Sequence, residues 1–119
     1  MRNKIVDKQI ASGAKPKYRV LDLEELKCEL IKKIQEEAAE VSNAKRSDVA
    51  SEIADVQQAI DDLIFTCKLT KEVVASKQKS KNKKNGSFSK AIYIEYVEVD
   101  ENDPWVKYFK DNPSRYPQI

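Results

Sequence analysis

The chain has 119 residues, long enough for one domain with its own core, and its 35% charged residues and two glycines suit helices far better than a β-sandwich. The formal charge of +2 is near balance and selects no polyanionic partner globally, while the absence of histidine removes Ser-His and Cys-His catalysis and the commonest zinc ligand. No apolar run approaches the roughly eighteen residues of a membrane span, and Cys28 and Cys67, isolated within apolar periodicity, read as reduced core residues of a cytoplasmic protein.

In chain order, Arg2 to Ser12 is a basic stretch with helical character that stops at Gly13, after which Lys15-Pro16-Lys17 forces extended backbone. Asp22 is an N-cap for a long helix over about 23–43, with Glu25 completing a capping box. Its buried side is Leu23, Leu26, Leu30, Ile34 and Val41. The polar Ser42–Ser47 turn leads, with Ser47 as N-cap, into a second helix over about 48–68. That helix buries Val49, Ile53, Val56, Ile60, Leu63 and Cys67, and it carries a second apolar side through Phe65 and Leu69. A second apolar side implies packing on another helix or another subunit. Thr70 caps a third helix over about 71–83, ended by Asn85-Gly86. Ala91 to Val99 alternates like a β-strand, Asp100–Asp103 turns it, and Pro104 to Ile119 reads as an aromatic tail. The helical core thus spans about 23–84 of a single 1–119 domain, with the strand and tail over 91–119.

Two acidic pairs stand out on the two long helices. Glu37 and Glu40 are three apart, as are Glu52 and Asp55, so each pair projects in nearly one direction. Glu37 falls within the stripe of Leu30, Ile34, Val41 and Ala44, where an isolated charge is too costly unless paired, protonated or metal-bound. A hairpin folded about Arg46 sets Glu37 level with Asp55 and Glu40 level with Glu52, on levels about 4.5 Å apart. Four converging carboxylates suit a hard divalent cation, Mg²⁺ first and Mn²⁺ next. The competing reading is a buried ion pair from Glu37 to Lys33 or Lys45. Downstream, Lys77, Lys79, Lys81, Lys83, Lys84 and Lys90 run with no acid between them. Contact of Lys81, Lys83 or Lys84 with a polyphosphate competes there with an ordinary solvated face.

At these residues the sequence resembles the all-α nucleoside triphosphate pyrophosphohydrolases, the MazG-like superfamily, whose signature is E-x-x-E, a spacer and E-x-x-D on two helices. Glu37, Glu40, Glu52 and Asp55 match it, Glu36 gives the double-Glu form, and Asp62 takes the place seven residues after the aspartate. Lys4-Ile5-Val6-Asp7-Lys8, Asn85-Gly86-Ser87-Phe88 and the Ile92 segment extend the likeness to a phosphoribosyl-ATP pyrophosphohydrolase-like subgroup over roughly residues 3–97. Two arginines of the subgroup pattern are missing, one before Asp7 and one at Asn85.

The resemblance implies a helical bundle completed by oligomerisation as a dimer or tetramer, with a C-terminal strand or hairpin. It also implies Mg²⁺-dependent hydrolysis of a nucleoside triphosphate to monophosphate and pyrophosphate. In that scheme Glu37, Glu40, Glu52 and Asp55 hold the metal, with Mn²⁺ a substitute. Glu36 is the candidate proton acceptor, and Asp62 with Lys81, Lys83 and Lys84 meets the substrate. The rival expectations are a non-catalytic interaction or nucleotide-sensing module, and a nucleic-acid-binding protein that uses Lys77–Lys90, against which stands the lack of aromatics interleaved among those lysines; nucleic acid is not the expected partner.

Overall fold

The computed structural model describes residues 1–118 and is mainly helical. Helices α1 (Ile5–Ala11), α2 (Leu23–Asn43), α3 (Val49–Thr66), α4 (Lys71–Asn85) and α5 (Pro104–Asp111) follow in chain order, with a 3₁₀ turn at Arg46–Asp48. The chain divides into two compact units, Met1–Lys84 and Asn85–Ile119. No helix is long and apolar enough to cross a membrane, among the described residues.

The first unit is built on an antiparallel pair, α2 against α3, the two helices that pack on each other. α2 starts where expected, because the Asp22 carboxylate accepts from the Glu25 N–H at 2.9 Å and satisfies an otherwise orphan donor. The Glu25 side chain is drawn to Arg19, an ion pair that lowers its pKa. Ser47 does not cap α3. It lies inside the 3₁₀ turn, and Asp48 precedes α3 with no side-chain cap bond. α3 ends in a Schellman turn, with Lys68 N–H donating to Phe65 O and Leu69 N–H to Ile64 O, both at 3.0 Å. Lys68 itself takes the left-handed φ of 58° that this turn demands. Gly13 closes α1 the same way at φ 90°, donating to Ile10 O while Ala14 donates to Gln9 O. α4 begins at the expected cap, with Val73 N–H donating to Thr70 Oγ1 at 3.2 Å.

Of the expected α3 stripe, Val49, Val56, Ile60, Leu63 and Cys67 are half-buried and Ile53 alone is exposed, while Glu52, Ala59 and Thr66 turn inward beside them. Along α3 the buried and half-buried residues include Val49, Glu52, Val56, Ala59, Leu63 and Thr66, a four-three repeat in which only Ala59 and Thr66 are fully buried. Bulky Ile53 and Phe65 stay outside, 51% and 83% exposed, and Leu23 and Cys28 on α2 are exposed as well, against expectation. A pair of helices cannot cover both sides of each, so the apolar faces pointing away from the seam remain open. At the end formed by the start of α2 and the end of α3, Leu23, Phe65, Thr66, Lys68 and Leu69 line a shallow groove of about 380 Å³.

The second unit contains no strand among its described residues. The expected strand over Ala91–Val99 is absent, and its backbone forms no regular structure. The physical reason is pairing: a strand leaves half its N–H and C=O groups unmet without a neighbour, and no second strand is present among the described residues. Ile92, Tyr93, Ile94 and Tyr96 are therefore exposed. The tail, instead, contains α5. Asp103 accepts from Trp105 N–H at 2.9 Å and Pro104 takes the first helical turn, where its missing N–H costs nothing. Trp105 and Phe109 then stack at 5.8 Å between centroids, and Tyr116 meets Phe109 at 5.0 Å and Tyr108 at 5.5 Å.

Candidate metal centre

Glu37 stands in the α2 side of the seam, and its side chain is only 13% exposed. Opposite it, Glu52 occupies a seam position of α3, and Asp55 lies one turn further along. One carboxylate oxygen from each of Glu37, Glu52 and Asp55 can be chosen so that all three lie within 4.8 Å of one another. Oxygens that are cis on one Mg²⁺ ion, at about 2.1 Å each, stand about 3.0 Å apart, so these side chains would have to draw inward by up to about 1.8 Å to share an ion. The donor set is all oxygen and anionic, which fits Mg²⁺ or Mn²⁺ and not a soft ion.

Glu40 is not brought into this cluster. It is rotated about 60° from Glu37 around α2, away from the stripe that meets α3, and its side chain is exposed. It is still close enough to raise the pKa of Glu52. The convergence is thus three carboxylates rather than the expected four.

Two cations attend the cluster. Lys33 Nζ reaches Glu37 at 2.8 Å, one helical turn away, and Glu36 at 3.7 Å. That bond is the main reason the Lys33 pKa is raised. Arg2, from the segment before α1, donates to Asp55. The ion pair to Lys33 that competed with a metal is therefore present. It does not account for Glu52, which has no cationic partner among the described residues. Burial, then the charges of Asp55, Glu37, Glu40 and Asp48, push the Glu52 pKa up. Three acids with two cations leave one negative charge half-buried and opposed by its neighbours.

The other expected site residues stand apart. Glu36 is exposed beside Lys33, about 100° around α2 from Glu37. Asp62 is exposed two turns beyond Asp55, where its carboxylate accepts from Gln58 at 3.4 Å. Lys81, Lys83 and Lys84 lie on α4, which packs on neither α2 nor α3. Arg2 is the residue that sequence reasoning missed, and only the basic character of the first turn hinted at it. The groove at Leu23 and Phe65 lies at the far end of the hairpin, about 16 Å along α3 from Asp55, and holds none of the acids. Comparison with protein-family models, curated proteins and solved structures found no match to this chain.

Proposed function

We propose that the α2–α3 hairpin is the metal-binding half of a MazG-like nucleotide pyrophosphohydrolase, which cleaves a nucleoside triphosphate to monophosphate and pyrophosphate. The observation that carries this reading is the uncompensated third carboxylate. Glu37, Glu52 and Asp55 converge from two helices, and Glu52 is left without a cation in a half-buried seam. A divalent ion relieves that repulsion where a purely structural pair would not need the third acid.

Glu37, Glu52 and Asp55 would hold the ion, with Glu40 joining by a change of side-chain rotamer. When bound, Mg²⁺ would neutralise phosphate charge and acidify a coordinated water. Around it, Lys33 and Arg2 are the cations nearest the cluster and would turn from the carboxylates toward the phosphates. No histidine is available to accept the proton, and Glu36, beside Lys33, would take that role. Asp62 would orient the nucleoside. The open outer faces, with Ile31, Ile53, Phe65 and Leu69 all exposed, support self-association as a dimer or tetramer that completes the bundle.

The test is a panel of nucleoside triphosphates incubated with Mg²⁺ and scored for monophosphate and pyrophosphate together. Activity on at least one member, lost with a chelator and in Glu37→Gln and Asp55→Asn, is the expected result. Metal binding without turnover on any member would contradict the enzymatic reading.

A further inference from the structure

α4 has no part in the proposed pyrophosphohydrolase site. Its residues are exposed from Ala75 onward, no other helix packs against it, and none of Lys77, Lys79, Lys81, Lys83 or Lys84 pairs with an acid among the described residues. From Ser76 to Asn85 the helix has no apolar side chain at all. It therefore has nothing to insert into a lipid surface or to bury in a protein groove. Like charges face each other one turn apart at Lys77/Lys81 and Lys79/Lys83, which disfavours the helix unless an anion lies alongside.

The placement of its polar groups is ordered. At about 100° per residue, Lys77, Lys81 and Lys84 fall within about 60° of one another. Lys79 and Lys83 form a second stripe roughly 150° away around the axis. Gln78, Asn82 and Asn85 fill the wide sector between the stripes, about 100° from each. A helix of about 10–12 Å diameter fits the B-DNA major groove, which is about 12 Å wide. Laid there with the amides facing inward, α4 directs one lysine stripe to the phosphates of each groove wall. The amides then face base edges, where Asn and Gln suit adenine.

We propose that α4 is a DNA-binding helix, which enters the major groove of duplex DNA with Lys77, Lys79, Lys81, Lys83 and Lys84 on the two phosphate rows and Gln78, Asn82 and Asn85 on the bases. This surface is independent of the acidic cluster. The full chain is titrated into a labelled DNA duplex of about 20 base pairs at several KCl concentrations, followed by fluorescence anisotropy. Five phosphate contacts predict a slope of log affinity against log salt of about −4.5, a loss of roughly 500-fold between about 50 and 200 mM. The Lys79→Gln/Lys83→Gln variant, which keeps good helix formers, reduces that slope by about 1.8. Gln78→Ala/Asn82→Ala/Asn85→Ala keeps the slope and flattens the preference among duplex sequences. Double-stranded RNA, whose major groove is too narrow, binds more weakly. Glu37→Gln leaves DNA binding unchanged, so loss of the metal site and loss of this surface are read separately. Absence of binding at low salt overturns the proposal. So does equal affinity for polyglutamate or anionic vesicles, or a slope indifferent to the lysine substitutions.

Discussion

Replacing Glu52 by glutamine separates a metal centre from an acidic ion-pair network, because the two predict opposite signs in two conditions. Without a divalent ion, Glu52 is the acid whose charged form is opposed by burial and by four neighbouring carboxylates. Its folded-state pKa lies above the unfolded value, so its ionisation weakens the fold as pH rises from the unfolded pKa through the folded one. Glutamine removes that charge while keeping shape, and the metal-free variant is expected to melt higher than the parent at neutral pH.

With Mg²⁺ the order changes. At a free ion concentration ten times the dissociation constant, binding stabilises the parent by RT ln 11, about 1.4 kcal/mol. A chain of this length has an unfolding entropy of about 0.25 kcal/mol/K, so its Tm rises by about 6 °C. Glu52→Gln, with one of three converging carboxylates gone, is expected to show less than a quarter of that rise. The assay is differential scanning calorimetry at pH 7 with a Mg²⁺ series, and Na⁺ at matched ionic strength as the control. Equal Mg²⁺ shifts in parent and variant would refute the assignment of Glu52 as a ligand. A metal-free variant melting lower than the parent would refute the claim that its charge is uncompensated.

Arg2→Ala frees Asp55 from its internal cation, and tighter Mn²⁺ binding is expected by calorimetric titration. Lys68→Gly relieves a left-handed residue that has a Cβ at φ 58°, and chemical denaturation should show a gain of about 0.5–1 kcal/mol. Asp22→Ala removes the α2 cap and should cost about 1 kcal/mol in the same measurement. Arg19 lowers the Glu25 pKa, so the stability this pair adds is present above the unfolded value and is lost as pH falls through the folded one. Glu25→Gln should therefore remove a small part of the acid-side slope of Tm against pH.

The elements whose ends carry local chemistry were legible in the sequence. Asp22, Gly13, Thr70 and Gly86 each mark a boundary with a cap or a left-handed turn, and the helices start or stop there. α5 carried the same kind of signal in Asp103-Pro104 and in Trp105, Tyr108 and Phe109 at three-four spacing, but the density of aromatics and prolines made it read as a tail. The strand over Ala91–Val99 failed because alternation records a local preference, whereas a strand exists only with a partner. Within the hairpin, the expected stripe favoured large residues and placed Ile53 inside. The rest of that stripe is half-buried as expected, but Ala59 and Thr66 are the most buried positions and Ile53 stays out, which brings Glu52 inward. Glu37 in the apolar stripe was legible directly. The exclusion of Glu40 and the arrival of Arg2 depend on tertiary register, which helical periodicity does not encode.

The most direct test of the metal centre is anomalous diffraction from crystals soaked in Mn²⁺. One ordered ion held by the carboxylates of Glu37, Glu52 and Asp55, with Arg2 turned away from Asp55, is the expected result. Crystals in which those three groups keep only their Lys33 and Arg2 partners, with no ion between them, would contradict it.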